Sequence, residues 1–306
     1  MRWDDFRRSD NVEDSRGDGG GFGGGGGGMG LPIGGGGLGI GTVVVLGLIG
    51  WALGIDPSIL IGGAELVNSG RHQEQPYQPP AKQAGAPKDQ MGDFVAAVLG
   101  NTEDTWTEIF KNSGQRYSVP RLRLYSGSVQ GGCGSAQAAM GPFYCPNDRR
   151  IYLDTSFFRD MRDRFRGCSG KGCEFAEAYV MAHEVGHHVQ NLLGILPKAQ
   201  AAQRAAGSKA EANSIQVRVE LQADCLAGVW ANHSNQKWNS LEPGDVEAAM
   251  QTAAAIGDDR LQRQTQGYVV PDAFTHGSSA QRQRWFMTGF KEGKVSACNT
   301  FTSAGI

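Results

Sequence analysis

The alternation of apolar and polar residues divides the chain into a head without periodicity and a long periodic remainder. Residues 1–30 are polar and then almost entirely glycine, a composition that favours disorder because too little apolar surface can be buried. The next stretch is strongly apolar, and a polar, proline-rich stretch follows it. The pattern predicts four segments: a disordered tail at 1–30, a transmembrane segment at 31–62, a linker at 63–90 and a folded domain at 91–306.

Within the predicted domain, the periodicity changes between that of strands and that of helices. Short alternating runs predict strands, and longer runs with apolar residues every three or four positions predict helices. The first helix should break near Gly100, and Ser278 or Ser279 should cap the last one. These patterns predict an α+β fold, with a small N-terminal antiparallel sheet followed by helices. The predicted strands are 122–125, 141–145 and 150–153, and the predicted helices are 92–112, 156–166, 175–193, 209–233, 243–256 and 278–290.

The cysteines indicate a cellular compartment, and the net charge argues against nucleic acid as a partner. The 306 residues carry a formal net charge of -2, which gives no electrostatic reason to expect nucleic acid binding. All six cysteines follow residue 130 and none forms a CxxC zinc pattern, which favours three disulfides in an oxidising compartment. Six cysteines allow 15 connectivities, and reduced buried thiols in the cytosol are the alternative. We favour the pairs Cys133–Cys145, Cys168–Cys173 and Cys225–Cys298.

Positive charges around the apolar segment predict its orientation. Arg2, Arg7, Arg8 and Arg16 precede it, whereas Arg71 is the nearest cation after it. Cationic residues favour the cytoplasmic side, so we expect a single-pass inner-membrane protein with a cytoplasmic N-terminus and a periplasmic domain. Disulfide bonds in the domain would agree with that orientation. The alternative for the apolar segment is a glycine-rich linker or a buried hairpin.

The residues with the clearest chemistry lie in YVMAHEVGHHVQ, residues 179–190. On a helix, His183 and His187 leave the same face one turn apart and can hold one Zn²⁺. Glu184 points to the same side and can take a proton from a water on the metal, as in the HExxH pattern of zinc peptidases. Two alternatives are a buried helix with hydrogen-bonded histidines and a pairing of His188 with Glu184 at the same spacing.

A third ligand is expected from a later helix, because catalytic zinc normally has three protein ligands. Glu220 and Asp224 lie one turn apart in an otherwise apolar stretch. Glu220 can bind the metal, while Asp224 can accept the spare ring N–H of His183 or His187. A solvated acidic face is the alternative. An extended HExxHxxGxxH pattern would need glycine at 190 and histidine at 193, where the chain has Gln190 and Leu193.

These motifs resemble those of the gluzincin peptidases, and more closely those of the neutral zinc metallopeptidase family of membrane-anchored bacterial proteins. The strings MAHEVGHHVQNLLG, RVELQADCLAGVWA and FTHGSSAQRQRWFMTGF carry the resemblance, which covers roughly residues 90–300. It implies a zincin-like fold, one zinc ion and a peptide or protein substrate. It also implies that His276 or Arg282 stabilises an oxyanion, and that strand 141–145 is an edge strand along which substrate lies.

The resulting functional prediction is a membrane-anchored zinc endopeptidase. Zinc on His183, His187 and Glu220 would lower the pKa of its water, and Glu184 would move the proton to the leaving amine. Imidazole and carboxylate ligands also suit other divalent ions. The alternative is a non-catalytic, zinc-stabilised membrane assembly or chaperone-like protein, although a structural zinc site usually has four protein ligands.

Overall fold

The computed structural model describes residues 1–17, 87–163 and 166–303, which form eight helices, a four-stranded sheet and a two-stranded hairpin. The predicted transmembrane segment and nearly all of the predicted linker lie outside these residues. The described part confirms the α+β class. Its helices are α1 (Gln90–Asn112), α2 (Ser156–Asp163), α3 (Cys173–Leu192), α4 (Ile195–Ala205), α5 (Lys209–Trp238), α6 (Asp245–Ala255), α7 (Asp258–Gln266) and α8 (Ser279–Glu292).

The sheet contains a strand that the sequence pattern did not predict. Its strands in spatial order are β1 (Val12–Asp14), β2 (Arg121–Tyr125), β6 (Arg150–Asp154) and β5 (Phe143–Cys145). The first three are parallel, and only β5 runs antiparallel to its neighbour β6, so the prediction of an antiparallel sheet is wrong. The remaining two strands, β3 (Ser128–Gly131) and β4 (Gly134–Gln137), form a separate antiparallel hairpin.

Residues 1–17 belong to the folded domain, so the predicted disorder of residues 1–30 is wrong for this part. Met1, Phe6 and Val12 are buried in the main hydrophobic core. Strand β1 pairs with β2, where the carbonyl of Asn11 accepts a hydrogen bond from the Leu122 amide. The apolar residues are too widely spaced among charges to show a period, and long-range packing on α1 supplies the burial that the local sequence lacks.

Gly100 is where the N-terminal segment crosses α1. A Cβ at this position would collide with the backbone carbonyl of Arg7. Nearby, the buried carboxylate of Glu103 accepts hydrogen bonds from Ser9 Oγ at 2.7 Å and Asn11 Nδ2 at 2.8 Å. The helix runs through Gly100 without interruption, so the predicted break there is wrong. The glycine serves close packing between two segments rather than the end of a helix.

This packing bears on the predicted membrane orientation. Hydrogen-bonded strands cannot lie on opposite sides of a membrane, so β1 and the rest of the sheet share one side. A cytoplasmic N-terminus joined to a periplasmic domain by a single crossing is incompatible with that pairing. Within 1–17, 87–163 and 166–303, no helix has the length and apolar character needed to cross a bilayer.

Helices α3 and α5 form the centre of the helical layer. They approach closely at Gly186, where an added Cβ would lie 2.9 Å from the carbonyl oxygen of Ala223. This glycine lies between His183 and His187, so its small size brings α5 to the histidine face of α3. Helix α8 also packs closely on α5, where an added Cβ at Gly228 would collide with the carbonyl oxygen of Phe286.

The structure contains the three disulfides that the sequence favoured: Cys133–Cys145, Cys168–Cys173 and Cys225–Cys298. The first ties the β3–β4 hairpin to the sheet. The second closes the loop before α3. The third joins α5 to the 3₁₀ turn Val295–Cys298, near the C-terminal end.

Two helices, α4 and α7, were not predicted. Helix α4 follows α3 after only Leu193 and Gly194, and α7 is short and mostly polar. The last helix has Ser278 as its N-cap, with the reciprocal hydrogen bonds of a capping box to Gln281. That cap is one of the two serines the sequence indicated.

Candidate metal centre

Three side chains converge where α3 meets α5. Atoms of His183, His187 and Glu220 all lie within 4.8 Å of one another. Glu220 Oε2 is 3.1 Å from His183 Nε2 and 3.5 Å from His187 Nε2. Tetrahedral zinc with bonds of 2.0–2.1 Å would hold its ligands about 3.3 Å apart. The spacing therefore fits zinc with little movement of the side chains.

The charge around His183 also favours a cation. Burial lowers the pKa of this imidazole, but the charge and hydrogen bond of Asp224 and the hydrogen bond with Glu220 outweigh burial and raise it to about 10. Burial alone would raise the pKa of Glu220, yet the neighbouring histidines hold it well below its usual range. A site that binds a proton so strongly has an excess of negative charge, which a divalent ion can neutralise.

Asp224 fixes the orientation of His183. Its Oδ1 lies 2.8 Å from His183 Nδ1 and accepts a 2.6 Å hydrogen bond from the Tyr179 hydroxyl. Because a carboxylate only accepts, Asp224 keeps a proton on Nδ1, so Nε2, which faces Glu220, is the nitrogen that a metal ion would take by displacing its proton. Burial would raise the pKa of Asp224, but the charges of Arg282 and His183 hold it well below its ordinary value.

The structure places Arg282 behind the candidate metal ligands. Its Nε donates to Asp224 Oδ2 at 2.8 Å, and a terminal nitrogen donates to Asp224 Oδ1 at 2.9 Å. The side chain is buried, and its remaining bonds go to Tyr179 and the carbonyl of Ile256. Arg282 is thus the counter-ion of Asp224, a different location from the oxyanion site that the family resemblance implied.

Two glutamines orient the other two ligands. Gln190 Oε1 lies 2.9 Å from His187 Nδ1, and Gln216 Nε2 donates to Glu220 Oε1 at 2.8 Å. Each ligand therefore has a hydrogen-bond partner on the side away from the shared centre. Sequence reasoning missed both residues, although each is a polar residue three or four positions from a ligand on the same helix.

Glu184 lies between the two histidines on α3 and is almost completely buried. Burial raises the pKa of its carboxyl group, while the charges of His187 and His183 act in the opposite direction. The net shift is upward, which makes this carboxylate a stronger proton acceptor. This is the property required of a general base.

His276 lies on a loop that Asp258 holds in place. One oxygen of Asp258 accepts from the backbone amides of Thr275, His276 and Gly277 at 2.6–2.9 Å. Burial lowers the pKa of His276, but a hydrogen bond with Asp258 and the charge of Glu220 raise it overall. An added Cβ at the adjacent Gly277 would lie 3.0 Å from Leu221, the residue after Glu220, so His276 borders the candidate metal site. The side chain of His276 is 28% exposed. No motif in the sequence indicates Asp258.

His188 lies in a separate pocket. Its Nδ1 is 3.0 Å from the Tyr144 hydroxyl, and its Nε2 is 2.6 Å from the carbonyl oxygen of Ser118. Burial lowers the pKa of this imidazole to about 4. The alternative in which His188 pairs with Glu184 therefore has no geometric support.

The strand predicted to hold substrate is β5, at the end of the four-stranded sheet. The hydroxyl of Tyr144 on this strand accepts a 2.9 Å hydrogen bond from Asn191 Nδ2 at the end of α3. Strand β5 thus runs beside α3, the helix that carries His183 and His187. Its outer edge has no strand partner among the residues that the structure describes.

Comparison with known proteins agrees with these motifs. The family model described as "Putative neutral zinc metallopeptidase" matches residues 1–301. The uncharacterised protein YpfJ of Escherichia coli K12 is 47% identical over 301 residues, which cover 98% of this chain and 99% of that protein. An uncharacterised protein of Mycobacterium tuberculosis H37Rv is 43% identical over 265 residues, 83% of this chain and 85% of that protein. No solved structure matches the chain at a significant level.

Proposed function

Because this chain belongs to the neutral zinc metallopeptidase family, we propose that it is a zinc-dependent endopeptidase with a zincin-like catalytic domain. The observation that carries the proposal is the three-ligand cluster of His183, His187 and Glu220, with the buried carboxylate of Glu184 beside it. Three protein ligands leave one position for water or substrate, which is the arrangement of catalytic zinc. A structural site would not need Glu184.

The residues divide the chemistry among themselves. Zinc, when bound, supplies an activated water and polarises the carbonyl to be cleaved. Glu184 accepts the proton of the attacking water and delivers it to the amine that leaves. His276, with a raised pKa and a partly exposed side chain, donates a hydrogen bond to the oxygen on which negative charge develops. Asp224 and Arg282 act behind the ligands and keep His183 correctly oriented.

The substrate is an extended peptide or an unfolded protein. The free edge of β5 offers backbone groups for pairing with such a chain, and it runs beside α3. Strand pairing reads the backbone, so cleavage would depend weakly on the sequence of the substrate away from the cut bond.

The proposed location is extracytoplasmic and attached to the membrane. Three disulfides support an oxidising compartment. The apolar segment at 31–62 stays the predicted membrane-binding segment. Because residues 1–17 pack on the rest of the domain, these residues and the domain would lie together on the outer side of the membrane. Carbonate-resistant sedimentation with membranes, compared for the full chain and a chain lacking 31–62, tests the attachment.

The test of the enzyme uses the full chain, since residues 1–17 contribute to the core. Purified protein is incubated with unfolded casein, with and without a chelator, and zinc is then restored. We expect cleavage that the chelator stops and zinc recovers, and no cleavage by Glu184→Gln. Zinc-dependent folding without cleavage would instead support the non-catalytic assembly. Cleavage by Glu184→Gln at the parent rate would reject the general base.

A further inference from the structure

A chain of hydrogen bonds joins the ligand His187 to the backbone near the C-terminal end. His187 Nδ1 is 2.9 Å from Gln190 Oε1, and Gln190 Nε2 donates to Gln222 Oε1 at 3.0 Å. Gln222 Nε2 in turn donates to the carbonyl oxygen of Cys298 at 2.8 Å. Both glutamines and Cys298 are buried. Two side-chain amides thus lie between the metal site and the Cys298 carbonyl.

The Cys298 carbonyl determines which group donates and which accepts in every hydrogen bond of this series. A backbone carbonyl only accepts, so Gln222 must turn its NH₂ group to Cys298 and its oxygen to Gln190. Gln190 then uses its NH₂ group on Gln222 and on the carbonyl of Val219, 2.8 Å away. The remaining oxygen of Gln190 accepts from His187 Nδ1. The proton is therefore held on Nδ1, and Nε2 is left free for a metal ion.

The Cys298 carbonyl is held in place by a covalent bond. Cys298 forms a disulfide with Cys225, 73 residues earlier on α5. A second attachment follows at once, because Thr300 Oγ1 donates to the carbonyl of Arg218 at 2.6 Å. Cys225 is also the neighbour of Asp224, which orients His183. The disulfide thus fastens the C-terminal segment to the part of α5 that serves the metal site.

We propose that Gln222 and the Cys225–Cys298 disulfide position His187 for metal binding, so that tight zinc binding requires this cross-link. Gln190 and Gln222 are positioning residues, since they act on the metal only through His187. Residues that orient zinc ligands typically change metal affinity 10- to 100-fold when they are removed. The inference rests on the metal site of the proposed function, but it does not depend on peptide cleavage.

The first test measures zinc affinity in the full chain. Metal-free protein competes for zinc with a chromogenic chelator of known affinity. We expect Gln222→Leu to bind zinc about tenfold more weakly, because it removes both the acceptor for Gln190 and the donor to Cys298. The matched control is Gln251→Leu, an exposed glutamine on α6, which should bind like the parent. The Gln222→Leu variant retains all three disulfides, so it remains decisive even if a disulfide variant fails to fold.

The second test asks whether the disulfide acts through Gln222. Replacing both Cys225 and Cys298 with alanine should weaken zinc binding severalfold, whereas the same change at Cys133 and Cys145 should not. Combining Gln222→Leu with the first pair should cost little more than Gln222→Leu alone, because both changes break one chain. Full additivity, or equal losses from the two disulfide pairs, would overturn the role of the cross-link.

The outcomes separate this inference from the proposed function. A parent chain that binds no zinc would reject the metal site itself, and the inference with it. A parent that binds zinc no more tightly than Gln222→Leu would reject only the positioning element. Absence of casein cleavage together with weaker zinc binding by Gln222→Leu would reject the peptidase and support the positioning element.

Discussion

Two adjacent histidines on α3 have opposite chemical environments. His187 lies beside Glu220, whose charge and hydrogen bond overcome burial and raise the pKa of the imidazole. His188, one residue later, contacts Tyr144 and Ser118, and burial lowers its pKa to about 4. A step of one residue turns a side chain by about 100° around a helix, from one layer of the protein to another. The helix therefore has a metal face and a packing face, and each should respond differently to substitution.

Removal of the carboxylate on the metal face should have the largest effect. Glu220→Ala leaves only two ligands, and we expect loss of stoichiometric zinc and of all peptide cleavage. Elemental analysis of purified protein measures the zinc content. The control is Glu247→Ala, an exposed carboxylate on α6 that should leave zinc content unchanged. Full zinc content in Glu220→Ala would exclude Glu220 as a ligand.

The next largest effect separates binding from chemistry on the same face. Glu184→Gln keeps the size of the side chain and the ligands, but it removes the proton acceptor. We expect a loss of about 10³-fold in kcat for peptide cleavage with zinc retained, within the range for general-base catalysis. Steady-state kinetics and zinc analysis on the same sample measure both quantities. Loss of zinc together with activity would show that Glu184 contributes to the site in another way.

A smaller effect is expected at the border of the metal site. His276→Ala should lower kcat about 10²-fold with zinc retained, because it removes one hydrogen-bond donor to the developing charge. His233→Ala is the control. His233 lies near the end of α5, where its Nε2 donates a hydrogen bond to the carbonyl oxygen of Gly293. Equal kcat values for His276→Ala and the parent would remove His276 from the chemistry.

On the packing face, substitution should change stability and leave zinc binding intact. The unfolded imidazole titrates near its ordinary pKa of about 6.5, whereas folded His188 titrates at about 4. Between these values the unfolded state binds more protons, so the free energy of unfolding falls as pH falls, by up to about 3 kcal/mol in total. His188→Gln should lose this part of the pH dependence. Urea unfolding at pH 7 and pH 4.5 measures the change in the free energy of unfolding between the two pH values. The same change in His188→Gln as in the parent would contradict the assignment.

The difference between the two faces also shows what the sequence could predict. The spacing of His183 and His187, repeated by Glu220 and Asp224, is sufficient to identify four interacting residues on two helices. Cys133–Cys145 and Cys168–Cys173 close short loops and Cys225–Cys298 is the remaining pair, and the structure contains all three. The paired residues on each helix and the first two disulfides are close in sequence, so their geometry is local to a helix turn or a short loop.

Features that depend on distant partners could not be predicted in this way. Residues 1–17 look disordered because their burial comes from α1 and β2, which lie more than 70 residues away. Arg282 could be assigned to the oxyanion only by resemblance, since nothing in its spacing indicates the bond to Asp224. Gln222 and Asp258 are ordinary polar residues until the fold brings them to Gln190 and to the loop of His276.

Zinc-edge anomalous diffraction from crystals of the zinc-loaded full chain tests most directly whether His183, His187 and Glu220 hold a catalytic zinc ion. We expect one strong peak about 2.0–2.2 Å from Nε2 of His183, Nε2 of His187 and a carboxylate oxygen of Glu220, with a fourth position open to solvent. A peak at His188, or a fourth protein ligand that closes the site, would contradict a catalytic zinc on this face of α3.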